Sequence, residues 1–177
     1  MKPIPKSFLE EYLKSFFDFS KTQKAKWQAR AKADFKKTLP QTFEAFLDGV
    51  RVLSGLDEPM AELTEEMGLF MFAIYRAYYG RFSRTEREDL WEEKTRKIIE
   101  IMLAEDTKNG VGDGTKKRQV RGYVKQNTLM AFLLAQMSLA LPDYPEGESH
   151  YSQVFVILAI LAAQLNELVG LSKKHEK

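Results

Sequence analysis

Cysteine is absent from the 177 residues, and histidine occurs only at positions 150 and 175. The absence of cysteine excludes disulfide bonds, thiolate nucleophiles and cysteine-ligated zinc or iron–sulfur centres, and it favours a reducing, intracellular compartment. Two distant histidines are too few for a histidine metal cluster or for the Glu-x-x-His pairs of di-iron bundles. We therefore expect no cofactor.

Long apolar runs are also scarce. The longest, VFVILAILAAQL at 154–165, is about 12 residues long, against the roughly 20 that cross a bilayer, so we predict a buried helix here. The opening MKPIPKSFLEEYL has two prolines and two acidic residues where an export signal needs an apolar stretch. These patterns predict a cytoplasmic protein that does not enter a membrane.

Apolar alternation with a two-residue period is missing, whereas glycine and proline divide the chain into helix-length segments with helical apolar spacing. The sequence therefore predicts an all-α, single-domain bundle of about seven helices over residues 1–171, with a disordered tail at 172–177. We expect the fourth, sixth and seventh helices to be central because they are the most apolar. The sixth extends from the glycine-rich loop to about residue 141, and the seventh covers about 150–169, up to Gly170.

Several residues mark predicted helix boundaries or helix packing. Pro40 suits the first position of the third helix, and Asp57 can cap the fourth. The segment Ser83-Arg84-Thr85-Glu86 has the form of a capping box that opens the fifth helix. Amides on or near apolar faces are expected to fix helix register by hydrogen bonding rather than to bind ligands. These amides are Asn127, Gln136, Gln164 and Asn166.

The formal net charge of +2 conceals an uneven distribution. Residues 1–40 contain ten Lys or Arg and four Asp or Glu, whereas residues 41–110 contain nine Lys or Arg and fifteen Asp or Glu. Either the two parts neutralise each other, within one chain or across a dimer, or the basic part binds a polyanionic partner.

The segment NGVGDGTKKRQVRGYVKQN, residues 109–127, has three glycines within five residues, followed by five basic residues. A Walker loop is excluded because Gly114 precedes Thr-Lys instead of Lys-Thr, and a dinucleotide fingerprint needs a preceding strand. Lys116, Lys117 and Arg118 fall in the predicted first turn of the sixth helix, where the helix dipole disfavours cations unless an anion is bound. The predicted anion-binding residues are Gly112, Gly114, Thr115, Lys116, Lys117, Arg118, Arg121 and Lys125.

This basic strip has a simpler explanation inside the protein. The acidic fifth helix and the residues after it offer Glu100, Glu105 and Asp106 as internal partners, and runs of charge are usually solvated faces. The two explanations differ in whether the cations have carboxylate partners within the chain.

The second helix, about 21–37, is the other basic element. It has only a narrow apolar stripe, Trp27, Ala31 and Phe35, which we expect to pack in the core rather than to stack on bases. Its many cations surround that stripe and could follow a phosphate backbone. The candidate binding residues on this helix are Lys24, Lys26, Arg30, Lys32, Lys36 and Lys37.

Carboxylates on the fourth and fifth helices suggest a different chemistry. If these helices pack antiparallel across a turn at Gly80, their acidic residues meet at one end and can hold Mg²⁺. The residues concerned are Glu62, Glu65, Glu66 and Glu100.

We therefore predict a non-catalytic helical module that binds a polyanion, such as a nucleic-acid backbone, or an acidic protein surface through its basic helices. Two alternatives remain. One is a magnesium-dependent nucleotide hydrolase that uses the carboxylates, and the other is a structural homo-oligomer in which the basic part of one chain meets the acidic part of the next. The decisive observation is whether the second and sixth helices share a face.

Overall fold

The computed structural model describes residues 2–17, 20–54, 57–80, 82, 90–103, 113–140 and 149–174. Over these ranges the chain forms α-helices and no strand, which confirms the all-α prediction. The helices are α1 (Lys6–Phe17), α2 (Lys21–Thr38), α3 (Pro40–Ser54), α4 (Glu58–Tyr79), α5 (Leu90–Leu103), α6 (Asp113–Val124), α7 (Asn127–Ala140) and α8 (Ser149–Lys174).

The predicted sixth helix is two helices, so the described ranges contain eight helices instead of about seven. Lys125 has a backbone φ of 57°, which an α-helix cannot accommodate. Its N–H donates to the Arg121 carbonyl oxygen at 3.0 Å and closes α6, while the N–H of Met130 donates to the Gln126 carbonyl oxygen at 2.9 Å and opens α7. The chain therefore changes direction at residues 125–126.

The predicted end of the last helix is also wrong. α8 continues through Gly170 to Lys174, so the proposed boundary after residue 171 falls inside a helix. Residues 175–177 of the predicted tail lie outside the described residues.

Local capping rules predicted two helix starts correctly. α3 begins at Pro40, and Asp57 caps α4 by accepting a hydrogen bond from the Met60 N–H at 3.1 Å. At α2, Ser20 and Gln23 form a capping box that the sequence reading overlooked. The capping box predicted at 83–86 lies outside the described residues.

α4 and α8 make the most extensive contacts in the bundle: α4 packs against α2, α3 and α8, and α8 packs also against α3 and α5. Where α2, α3 and α4 meet, the rings of Phe35 and Phe72 stack at a centroid distance of 4.3 Å, and Phe43 and Phe46 adjoin them. The predicted sixth helix contributes Val124 and other apolar residues to the core.

α8 contains an 18-residue window, Ser152–Val169, that is long and apolar enough to cross a membrane, with a mean hydropathy of 1.7. Inside the bundle 67% of this window is buried. The helix predicted at 154–165 is therefore a core helix of this fold.

Thr95 Oγ1 is buried and has no hydrogen-bond partner within the described part of the chain. Thr95→Val keeps the shape and removes this hydroxyl, so we expect the free energy of unfolding to rise by about 1 kcal/mol in urea denaturation. Thr64→Val is the control, because the Thr64 hydroxyl donates to the Met60 carbonyl oxygen at 2.6 Å. Removing this hydroxyl should not stabilise the protein. A Thr95→Val variant no more stable than the wild type would show that the hydroxyl is satisfied in solution.

Candidate anion-binding surfaces

The apolar side of α2 faces the core, as predicted. Phe35 is fully buried, and Trp27 is partly buried with its ring centroid 6.1 Å from that of Phe70. Both rings therefore pack against the core.

Three of the six candidate cations of α2 form ion pairs with carboxylates of the same chain. The pairs are Lys24–Glu66 at 2.6 Å, Lys32–Glu65 at 2.6 Å and Lys36–Glu44 at 3.5 Å. They join α2 to α4 and α3, the two helices against which α2 packs. These lysines therefore have structural partners already.

The other three cations, Lys26, Arg30 and Lys37, are exposed and have no carboxylate partner among the described residues. At 100° per residue, they lie within about 40° of one another around the helix axis. Along the axis their spacings are roughly 6 and 10 Å. They form a straight line of positive charge, the cation stripe.

Small side chains flank the cation stripe. Ala25, Ala29 and Ala33 are exposed and, at a four-residue spacing, form a row beside it.

The start of α6 differs from the prediction. The helix begins at Asp113, so Gly114 and Thr115 belong to its first turn, and Lys117 and Arg118 fall in the second turn. Because the effect of the helix dipole is confined to the first turn, the interaction of these cations with the dipole is less unfavourable than predicted. Gly112, and the side chains of Thr115, Lys116 and Lys117, lie outside the described residues.

The remaining cations of the predicted α6 strip reach solvent. Arg118 and Lys125 are exposed, Arg121 is partly buried, and none of the three has an ion-pair partner in the described ranges. Their expected internal partner Glu100 instead pairs with Lys97 at 3.1 Å. Residues 105 and 106, the other suggested partners, lie outside the described residues.

The two basic helices pack on different neighbours. α2 contacts α3 and α4, whereas α6 contacts α5, α7 and α8. In this series of contacts, α4 and α8 lie between α2 and α6. The structure therefore gives no packed surface that α2 and α6 share, and each basic element has to be considered separately.

In the part of the chain that the structure describes, the carboxylates of α4 and α5 do not meet as a metal site would require. α5 packs against α6 and α8 instead of lying antiparallel against α4. Glu65 and Glu66 line a groove of about 610 Å³ together with Glu62, but they pair with cations of α2. Among the described residues, no three acidic or histidine side chains come together as a metal site. Within the described ranges, Glu100 therefore does not join the carboxylates of α4.

Side-chain amides at the helix contacts link distant parts of the chain. Gln164 donates to the Thr42 hydroxyl at 2.7 Å, and Asn166 accepts from the Tyr75 hydroxyl at 2.7 Å, so both fix helix packing as predicted. Gln126, which the sequence reading missed, accepts from the Ile4 N–H at 3.1 Å and donates to the Tyr79 hydroxyl at 2.8 Å.

The two tyrosines of this network are held in their neutral form. Burial raises the pKa of Tyr79 to about 12, although its hydrogen bond with Gln126 opposes the shift, and burial also raises the pKa of Tyr75 well above its usual value. These hydroxyls consequently remain protonated donors over the physiological range.

Lys94 is a buried cation that the sequence reading also missed. Its ammonium pairs with Glu167 of α8 and, at 3.0 Å, with Glu93. Burial lowers the pKa of Lys94, but hydrogen bonds to both carboxylates outweigh it and leave the pKa above the usual value. The sequence feature that could have predicted the burial of Lys94 is its position midway between Leu90 and Ile98, which are buried and four residues away on either side.

No protein-family model matches the chain. No curated protein and no solved structure is significantly similar to it either. The function is therefore inferred from the chemistry of the side chains described above.

Proposed function

We propose that this protein is a non-catalytic helical module that binds the phosphate backbone of a nucleic acid through the cation stripe, Lys26, Arg30 and Lys37. One observation carries the proposal. On a single helix, three cations have carboxylate partners inside the fold, while the other three lie in one line without any among the described residues.

A phosphate backbone suits this line of charge. Each phosphate that a Lys or Arg neutralises releases condensed counterions, so three contacts add a salt-dependent attraction that does not depend on sequence. The flanking alanine row lets the backbone approach, and Arg30 can bind a phosphate through two parallel hydrogen bonds. The core positions of Trp27 and Phe35 favour a duplex over single strands, whose binding usually relies on aromatic stacking.

α6 offers a second, separate contact. Arg118 and Lys125 are exposed on it, with Arg121 between them. α6 does not pack beside α2. We place the main contact on α2 and treat the α6 strip as an addition.

The test compares two triple variants of α2 that each remove three positive charges. Lys26→Gln/Arg30→Gln/Lys37→Gln removes the cation stripe, and Lys24→Gln/Lys32→Gln/Lys36→Gln removes the internally paired lysines. We expect the first variant to bind a labelled duplex of about 20 base pairs at least tenfold more weakly than the wild type at low salt, because it loses all three phosphate contacts. Fluorescence anisotropy measures the affinity.

The control variant should bind within about threefold of the wild type. Equal weakening in both variants would show that only total charge matters. Duplex binding that survives loss of the stripe would remove α2 as the contact. Displacement of the duplex by polyglutamate at matched charge would favour an acidic protein surface as the partner.

A further inference from the structure

A cavity lies where α5, α6 and α8 pack against one another. Its volume is about 430 Å³, which is within the range of small-molecule sites. Its walls include Lys94 of α5, Tyr123 near the end of α6, Lys125 just after α6, and Ala163 and Glu167 of α8. We call it the Lys125 cavity.

Lys125 adopts a backbone conformation that disfavours a side chain. Its φ of 57° lies in the left-handed region, and directly after the last turn of a helix this region is usually occupied by glycine. A glycine would keep the N–H that donates to the Arg121 carbonyl oxygen and would avoid the steric cost of a Cβ. The presence of a lysine favours a role for its side chain that glycine could not fill.

Polar groups in the wall of the Lys125 cavity have hydrogen-bond donors that the described residues leave unused. The Lys125 ammonium has no carboxylate partner there, and the Tyr123 hydroxyl has no hydrogen-bond partner there. The Lys94 ammonium has three donors and uses two of them on Glu93 and Glu167. The Tyr123 phenol also contributes to the raised pKa of Lys94, so the two groups lie within electrostatic reach of each other.

The rest of the wall is largely apolar. Val124 and Ala163 are buried hydrophobic residues of the core, and the Tyr123 ring and the lysine stems add apolar surface. Asn166, a further polar residue of the wall, already accepts two hydrogen bonds from inside the fold through Oδ1. An occupant of the cavity would therefore meet both unused donors and apolar side chains.

We propose that the Lys125 cavity binds a small organic anion, a carboxylate with an apolar body. The carboxylate oxygens accept hydrogen bonds from the Lys125 ammonium and the Tyr123 hydroxyl, and Lys94 supplies a further donor. The apolar body packs against Val124 and Ala163. This inference does not rest on nucleic-acid binding, because the main contact proposed for a nucleic acid is on α2.

A carboxylate suits the charge of the cavity better than a phosphate group does. Within the described residues, the charge of Lys94 is balanced by carboxylates and that of Lys125 is not, so the wall can balance one negative charge. A phosphate monoester carries almost two negative charges at neutral pH. The second charge would have no counterpart, and the carboxylate of Glu167 is part of the same wall.

Benzoate is the probe that tests the site, and benzamide, which has the same ring and no charge, is its matched control. In titrations of the full chain at constant ionic strength, followed by ¹⁵N NMR, we expect benzoate to bind in the low millimolar range or more tightly. Its affinity should exceed that of benzamide and of inorganic phosphate about tenfold or more, and the amide signals of residues 123–125 should shift. No binding at about 50 mM benzoate overturns the inference. Equal binding of benzamide, or tighter binding of phosphate, overturns its assignment to carboxylates.

Substitutions of single donors locate the bound anion. We expect Lys125→Gln to weaken benzoate binding about fivefold or more and Tyr123→Phe about threefold or more, because each removes one hydrogen bond to the carboxylate. Arg118→Gln is the matched control, because it removes a positive charge from an exposed residue of α6 outside the cavity wall and should change the affinity less than about twofold. Unchanged binding in the first two variants, or equal weakening by Arg118→Gln, overturns the inference.

Lys125→Gly separates the binding role of the side chain from its effect on the backbone. Glycine adopts a positive φ without steric cost, so we expect this variant to unfold at a urea concentration no lower than the wild type does. It should nevertheless bind benzoate as weakly as Lys125→Gln. A Lys125→Gly variant that is less stable than the wild type, or that binds benzoate equally well, would show that the lysine is not kept for the ligand.

Discussion

Gly68→Ala is expected to lower the free energy of unfolding by about 3 kcal/mol, even though alanine is the better helix former. An added Cβ at Gly68 would lie 2.1 Å from Cζ of Phe46 and 2.7 Å from both Cε atoms of that ring. Phe46 is fully buried, and its ring stacks near that of Phe35. α3 and α4 must therefore move apart, or the ring must leave its position in the aromatic core.

Urea denaturation monitored by circular dichroism measures this loss. Gly122→Ala is the matched control, because Gly122 lies in α6 and an added Cβ there meets nothing within 4 Å. This control should gain roughly 0.5 to 1 kcal/mol from helix propensity. Phe46→Leu in the Gly68→Ala background should recover part of the loss. A Gly68→Ala variant as stable as the wild type would contradict the close approach of α3 to α4.

Glu167→Ala is expected to cost about 2 to 3 kcal/mol, because it leaves the ammonium of Lys94 buried with a single partner. The side chain of Lys94 is 9% exposed and that of Glu167 is 30% exposed, so solvent cannot replace the lost carboxylate well. Glu93, the remaining partner, is 47% exposed and holds the charge less firmly. Lys94→Met should cost about 1 kcal/mol or less, because it removes the charge and keeps an apolar stem of similar length.

The matched control for the ion pair is Glu100→Ala on α5. Glu100 and its partner Lys97 are 55% and 53% exposed, so this change should cost no more than about 0.5 kcal/mol.

The ion pair of Lys94 also predicts a pH dependence. The pKa of Lys94 is raised in the folded protein, so the stability that its ion pairs contribute is complete below the usual pKa of 10.5 and is lost as pH rises through the pKa in the folded protein. The difference between Glu167→Ala and the wild type should therefore be constant near neutral pH. Equal losses for Glu167→Ala and Glu100→Ala would contradict a buried pair.

The features that the sequence predicted correctly depend on neighbouring residues. Pro40 and Asp57 act within one helical turn, and the stripe that ends at Phe35 follows from helical periodicity alone. The break at Lys125 was missed because lysine rarely adopts a positive φ, and what holds it is distant in sequence. Gln126 beside it bonds to the backbone of Ile4, 122 residues away.

The candidate site was predictable only in part. A count of 100° per residue already places Lys26, Arg30 and Lys37 on one line, so the cation stripe was visible in the sequence. Which lysines have partners was not visible, because the pairs of Lys24 and Lys32 depend on how α2 packs on α4. The same packing, together with the placement of α5 on α8, removed the proposed carboxylate cluster.

The salt dependence of duplex binding tests the cation stripe most directly. We predict that a plot of log affinity against log salt concentration is shallower by nearly 3 for Lys26→Gln/Arg30→Gln/Lys37→Gln than for the wild type, about 0.9 for each lost phosphate contact. The variant of the paired lysines, Lys24→Gln/Lys32→Gln/Lys36→Gln, should keep the wild-type slope. Identical slopes for all three proteins would contradict phosphate binding by α2.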